Sequence, residues 1–424
     1  MINKVLCEIF KESVSAVLPE NAIKNSLSVS KSRLSIQGKT YNLKKYNNIY
    51  LFGVGKASIK MAKELEELLG SFLKGGFVVG TKADNLKRIK TYISDHPVPS
   101  QRSIKAGKEL KKEMGKLACD DFFIFMLSGG ASSLAEIPKK TLRLSDIQNT
   151  TKKLLACGAD ISEINMIRKA LSDLKGGKLA ENIKADGVVV VISDVIKGGI
   201  EAIGSAPMSS KKLPSRAEIR TIINRYDLKE KLSENVLESI ENYEPAGSSR
   251  EFEHHIIVDN HSAVKAGVKK ALELGYQAFA APFQLEGEAR DMAKKTAAYI
   301  ENLKIKNSGI PICVVIGGET TVTLKGEGKG GRNQEFVLAM MKELKDREDI
   351  SYFSGGTDGV DGNSDYAGAF GNRQIYENSV KKNLNIDEFL NNNDSTTFFQ
   401  KTGGVLKTGY TGTNVADIAI ILKV

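Results

Sequence analysis

Lys56 stands in the run GVGKAS at 53–58, directly after an apolar segment. A cation at a strand-to-helix turn can meet a phosphate together with helix N-terminal amides. An ordinary surface lysine is the plain alternative. The run GEGKGGRNQE at 326–335 is more specific, because it ends at a helix start with the guanidinium fork of Arg332. Its alternative is a surface hairpin. TDGVDGNSD at 357–365 places Asp358, Asp361 and Asp365 in one glycine-rich loop, and hard oxygen donors suit Mg²⁺. The glutamate that ends a calcium loop is absent, and carboxylates that only cap turns are the competing reading. Cations and carboxylates in glycine-rich turns fit phosphoryl transfer, which needs positioning and charge more than a covalent nucleophile.

Other chemistries find less support. No lysine has both glycines of a Walker loop in place. GVGKAS resembles the start of a dinucleotide fingerprint but has Ser58 where the third glycine belongs, and no acidic residue follows at ribose-binding distance. His96, His254, His255 and His261 lack zinc spacing, and Ser128 lacks the preceding glycine of a hydrolase elbow.

Elements that could position these groups are visible in the apolar runs 48–53, 122–127, 187–192, 312–316 and 350–353. Each ends abruptly in glycine or polar residues. Such runs fit strands buried on both faces, as in parallel sheets. Helical patterns follow at 58–69 and 333–344, so the class is α/β. Ligands of such sheets bind beyond the carboxyl ends of the strands, which here carry the glycines. Successive N–H groups there form anion nests, so a polyanion site is expected. A polar, turn-rich stretch at 241–252 marks the best domain boundary, after a helical stretch at 217–240. Residues 391–394 read as a loop.

A chain of 424 residues is expected to form two or three domains with full hydrophobic cores. The net charge of +10 comes from lysines mixed with acids, without the basic block and interleaved aromatics of a nucleic-acid binder. It can help to attract anionic substrates. Cys7, Cys119, Cys157 and Cys313 are scattered, as in a reducing compartment. Residues 1–16 read as an amphipathic helix with Glu8 and Glu12 on its polar side, not as a signal peptide, and no membrane span is evident. A cytoplasmic location is expected.

The motifs carry a resemblance over nearly the whole chain. They are GVGKA at 53–57, HPVP at 96–99, LSGGASS at 127–133, CGADISEIN at 157–165, RKALS at 168–172, LKGGKLA at 174–180, GGETTVT at 317–323, GGRNQE at 330–335 and TDGVDG at 357–362. In order and spacing the chain resembles the type II glycerate kinases, which join a glycerate-kinase N-terminal domain to a MOFRL-type C-terminal domain. The resemblance implies two α/β domains, a Rossmann-like parallel sheet in 1–245 and a MOFRL-type domain in 246–424, with the active site in the interdomain cleft. It implies transfer of the ATP γ-phosphoryl group to the 2-hydroxyl of D-glycerate, with Mg²⁺ or a similar cation. No nucleic-acid or membrane partner is implied, and a homodimer is allowed.

Residue by residue, Lys56 and Arg332 match the family's two principal catalytic cations. Ser128, Gly129 and Gly130 match a loop expected to touch substrate or nucleotide phosphates, and Asn165, Arg168 and Lys175 match a polar segment facing the same cleft. Gly53, Gly55, Glu319, Thr320, Asn333, Gly356 and Thr357 are assigned to the nucleotide, and Asp194, Asp358 and Asp361 to the metal. One departure stands out. Where the family reads Ser-Asp-Val, one residue, then Gly-Asp-Asp, this chain has Lys197, Gly198 and Gly199 after Ser193 and Asp194. It then has Ser205, Ala206, Pro207 and Met208 in place of Ser-Gly-Pro-Thr. Two alternatives stay open. One is an NAD(P)-dependent hydroxypyruvate reductase, for which fingerprint and acid are not evident. The other is a non-catalytic nucleotide- or anion-binding protein, which the lost acidic pair favours.

Overall fold

The computed structural model describes residues 2–196, 199–245, 250–304 and 309–424. Its residues form two units, Ala22–Ile257 and Met1–Asn21 together with Val258–Val424. Of the boundary stretch read from the sequence at 241–252, residues 246–249 lie outside the described residues. The first helix, Ile2–Ala16, belongs with the C-terminal unit. Its apolar side explains this: Phe10 packs on Phe353 with ring centroids 4.7 Å apart, and on the polar side Glu8 meets Lys270 at 2.8 Å.

The unit Ala22–Ile257 begins with a small antiparallel sheet, β1 (Leu27–Ser30), β2 (Arg33–Ile36) and β3 (Lys39–Asn42). Its main sheet has six strands: β4 (Ile49–Val54), β5 (Leu73–Gly80), β6 (Ile89–Ile93), β7 (Phe122–Leu127), β8 (Asp186–Ile192) and β9 (Glu253–Val258). Their order is β6-β5-β4-β7-β8-β9, and β4 to β8 run parallel. All six residues of β7 are buried, which is why FFIFML carries no polar alternation. Phe52, Phe77, Phe123, Phe125 and Val189 share one core with Ala106 and Leu110. The chain leaves β4 for β5 on one side and returns to place β7 on the other. That reversal makes the carboxyl ends of β4 and β7 the switch point, where a crevice opens in such sheets.

The stretch 217–240 is not one helix. Helices Arg216–Arg225 and Glu234–Glu241 are separated by a turn in which Asp227 takes a left-handed φ of 48°. Both pack into a helical layer through Ile219, Ile222, Val236 and Ile240.

The other unit carries a seven-stranded mixed sheet. Its strands are β10 (Gln277–Ala280), β11 (Leu285–Glu288), β12 (Ile312–Thr321), β13 (Ile350–Gly356), β14 (Gly368–Gly371), β15 (Val405–Leu406) and β16 (Asp417–Lys423). The parallel reading of the runs at 312 and 350 needs correction, because β12 and β13 both pair antiparallel with β16 between them. An apolar run reports burial on both faces and is silent about direction. In this register Gly318, Asp417 and Gly356 lie side by side, so β16 begins where β12 and β13 end. No helix among the described residues is long and apolar enough to cross a membrane.

Candidate active site

The ends of β4, β7 and β8 lie level, with Val54 beside Leu127 and Leu127 beside Val191. The residues that follow, Gly55–Lys56, Ser128–Gly130 and Ser193–Asp194, therefore gather at one edge of the sheet. Gly55 has φ +146°, and Lys56 N donates to Gly129 O at 2.9 Å. Ser128 is buried, and its Oγ accepts from Ala57 N at 3.0 Å at the start of helix Ser58–Leu69. Ser128 thus braces the turn that carries Lys56. A Cβ on Gly55 would lie 2.1 Å from Ser128 Oγ and 2.7 Å from Ser128 O, so only glycine fits. Gly55→Ala is expected to cost roughly 2–4 kcal/mol through overpacking and backbone strain. Thermal unfolding should show the midpoint falling by roughly 5–10 °C; an unchanged midpoint would mean that the turn yields freely.

The Lys56 side chain is half-buried, and its ammonium makes no hydrogen bond or ion pair among the described residues. Next to it, Gly130 is left-handed at φ +81° and opens the short helix Ala131–Leu134. The N–H groups of Gly129, Gly130, Ala131 and Ser132 find no acceptor among the described residues. A run of open N–H groups beside an unpaired ammonium is an anion nest. Asp194 lies against the same loop, since a Cβ on Gly129 would be 2.0 Å from Asp194 Oδ2. Burial raises the Asp194 pKa above the usual carboxylate range, while Lys56 pulls the other way.

Of the other residues assigned to the substrate, Asn165 is buried and holds a neighbouring turn. Its Oδ1 accepts from Ser205 Oγ at 2.9 Å, and Ser205 Oγ lies 3.1 Å from Ser132 Oγ. Lys175 is buried on Glu136, whose Oε1 also accepts from Ser172 Oγ and Ile137 N. Burial pushes the Lys175 ammonium down, and Glu136 opposes it. Arg168 is half-buried and makes no hydrogen bond among the described residues. Burial pushes its guanidinium down, and Glu136 again opposes. Gly53 lies inside β4, pressed on Met126, where a Cβ would meet Met126 O at 2.7 Å. Of the departure at 197–199, Lys197 and Gly198 lie outside the described residues.

In the other unit, Arg332 opens helix Arg332–Glu343. Its Nε and Nη2 hold the two oxygens of Asp417 at 2.5 and 3.0 Å, and Nη1 meets Glu319 at 2.8 Å. Burial acts to lower the guanidinium pKa, but Asp417 and Glu319 outweigh it and raise it. Asp417 is buried at the first position of β16 and is a residue the motifs did not single out. Asp361 is also buried. Its oxygens accept from Asn333 N, Asn333 Nδ2, Gln334 N and Gln334 Nε2 at 2.9–3.2 Å. Both oxygens serve as the helix cap. Burial nevertheless pushes Asp361 up to about 6. Asn333 is committed as well, with Oδ1 taking Ser354 Oγ at 2.6 Å. Thr357 is buried, and its Oγ1 donates to Ala416 O and accepts from Val415 N. Gly356 ends β13, Thr320 is buried within β12, and Asp358 Oδ1 accepts from Val360 N at 3.1 Å.

The glycine loop before Arg332 is not an open nest. Lys325 N and Gly326 N donate to Asn393 Oδ1, Glu327 N to Asn392 Oδ1, Gly328 N to Asn392 O, Lys329 N to Asp394 Oδ1 and Gly330 N to Asn363 Oδ1. The turn at 391–394 is the clamp that fixes this loop. Among the described residues, no group of three or more His, Cys, Asp and Glu is arranged to hold a metal ion.

Comparison with known proteins finds two family regions on the chain. The family described as "Domain of unknown function (DUF4147)" matches residues 5–241, and the MOFRL family matches residues 312–417. The chain is 34% identical to a glycerate 2-kinase of Pyrococcus horikoshii, over 99% of this chain and 97% of that protein. It is 34% identical to a D-glycerate 2-kinase of Thermotoga maritima, over 100% and 99%. A crystal structure of glycerate kinase from Thermotoga maritima superposes with a TM-score of 0.86 at 33% identity, covering 100% of this chain and 99% of that one. With both family regions in place and full-length relatives on either side of the superposition, the chain belongs to the glycerate kinase family, DUF4147 in its N-terminal part and MOFRL in its C-terminal part.

Proposed function

We propose that the protein phosphorylates D-glycerate at its 2-hydroxyl, with ATP as the phosphoryl donor. The observation that carries this reading is Lys56, whose stem lies against Gly130 and whose ammonium is unpaired among the described residues, together with the N–H groups of Gly129 to Ser132 that find no acceptor there, at the switch point of the parallel sheet. A phosphate group offers the charge and acceptors that this arrangement lacks. The names of the full-length relatives support glycerate as the acceptor.

Lys56 binds the transferred phosphoryl group and lowers the cost of its charge. By resemblance, Arg332 is assigned to charge developing on the transferred oxygens, and within its own unit Asp417 and Glu319 fix its position, so that little reorganisation of the guanidinium is needed. Asn165 and Ser128 hold the turns in place rather than touch the phosphate. Of the three carboxylates assigned to a metal, Asp194 has oxygens with no hydrogen-bond donor from another residue among the described residues, whereas Asp361 has its oxygens filled. Asp194 therefore fits Mg²⁺ arriving on the nucleotide, where the cation supplies neutralisation of phosphate charge.

Release of ADP with D-glycerate, measured beside NADH oxidation with hydroxypyruvate, tests the reading. Glycerate-dependent ADP is expected and NADH loss is not. NADH loss alone would establish a reductase, and silence in both assays would leave a binding protein.

A further inference from the structure

His96 adjoins the anion nest and has no part in the roles assigned so far. Its ring lies over Gly130. A Cβ on that glycine would come within 2.8 Å of His96 Cδ2, 3.1 Å of His96 Nε2 and 3.1 Å of Lys56 Cγ. The imidazole and the Lys56 stem therefore flank the same nest residue. The His96 ring makes no hydrogen bond among the described residues. His254 and His255 differ. His254 Nδ1 lies 2.9 Å from Phe252 O, and His255 Nε2 lies 2.9 Å from Tyr41 Oη. His96 is exposed at the edge of the nest, so its ring nitrogens are open to solvent and to a molecule bound there.

We propose that His96 is the catalytic base of the transfer, taking the proton of the acceptor hydroxyl while Lys56 holds the phosphoryl group. The proposal rests on the kinase reading. The hydroxyl oxygen forms the new bond to the γ-phosphorus, and the bond from that phosphorus to the β,γ-bridging oxygen breaks. ADP leaves with the electron pair, and the hydroxyl proton ends on a ring nitrogen, from which solvent removes it. Partial burial, and then the charge of Lys56, push the ring down to about 4, so its lone pair is available at neutral pH. Lys56 is the charged side chain that acts on it. A phosphate on Lys56 offsets that field and makes the imidazole more basic once substrates are bound. Phosphoryl transfer with a loose transition state asks only moderate help from a base. A loss of about a hundredfold is the expected scale.

The test uses the full-length enzyme with Mg²⁺, ATP and D-glycerate at pH 7. His96→Ala and His96→Gln should each lower kcat by about a hundredfold while KM for glycerate stays within a few-fold. Added imidazole should restore turnover to His96→Ala and leave His96→Gln, whose side chain fills the space, unaffected. A merely structural role would not respond to imidazole in this way. Unchanged kcat with a raised KM makes His96 a ground-state binder and overturns the proposal, as does His96→Gln at full activity. Both outcomes leave the kinase reading intact. That reading fails separately, if the unaltered protein forms no phosphoglycerate.

Discussion

Lys56→Ala is expected to lower kcat by between a hundredfold and a thousandfold, about 3–4 kcal/mol of barrier, without loss of the fold. The ammonium has no hydrogen bond or ion pair among the described residues, so its removal orphans no bonded partner. Ser128 continues to brace the turn through Ala57 N, which does not depend on the Lys56 side chain. The loss therefore falls on the transition state. A secondary change follows from the electrostatics. Lys56 lowers the pKa of both Asp194 and His96, so the alanine variant should protonate both at higher pH. NMR titration of the four histidines, with His96 assigned by substitution, should show its midpoint rising. Turnover within a few-fold of the unaltered protein would return Lys56 to the status of a surface lysine.

Arg332→Lys should also lose most turnover, again by a hundredfold or more, although it keeps the charge. The guanidinium grips Asp417 with two nitrogens and Glu319 with a third. A lysine offers one point charge and cannot hold that geometry. Because a fixed cation matters most while charge spreads over the transferred oxygens, the loss should appear in kcat more than in KM for glycerate. Arg332→Ala goes further. It leaves buried Asp417 without its cation, close enough to Asp361 to raise the pKa of that group. Asp417 is buried but Arg332 is about one-third exposed, so the cost falls below the roughly 3–5 kcal/mol of a fully buried pair, and the alanine variant should be less stable as well as inactive. Asp417→Asn separates the two effects: it keeps the shape and weakens the grip, and a drop in kcat of about tenfold marks Asp417 as a positioning residue. Full kcat in Arg332→Lys with only KM raised would assign Arg332 to ground-state binding.

Much of the first site was legible because it is local. Runs such as FFIFML announce buried strands, and the glycine or serine that follows each one announces a ligand edge. Helix Ser58–Leu69 follows its apolar spacing residue for residue. What escaped depends on partners distant in sequence. Arg332 and Asp417 are 85 residues apart, and only the antiparallel insertion of β16 between β12 and β13 joins them. The final apolar run, which begins with Asp417, was the available signal. The clamp on the loop at 325–330 was not legible, because composition shows the glycines and not the asparagines and aspartate that take the loop's N–H groups. Asp361 had two readings, metal ligand or cap, and four donors place it as a cap. His96 was visible only as part of a motif, since its position over Gly130 is set by packing between separate loops.

The central claim concerns which bond is made, and phosphorus NMR of the product tests it most directly. The full-length protein is incubated with Mg²⁺, ATP and D-glycerate, and the ester is located by its coupling to the glycerate protons. The account predicts a phosphate on C2, that is 2-phosphoglycerate, formed together with ADP. An ester on C3 would contradict the assigned regiochemistry, and the absence of any glycerate ester would contradict the kinase itself.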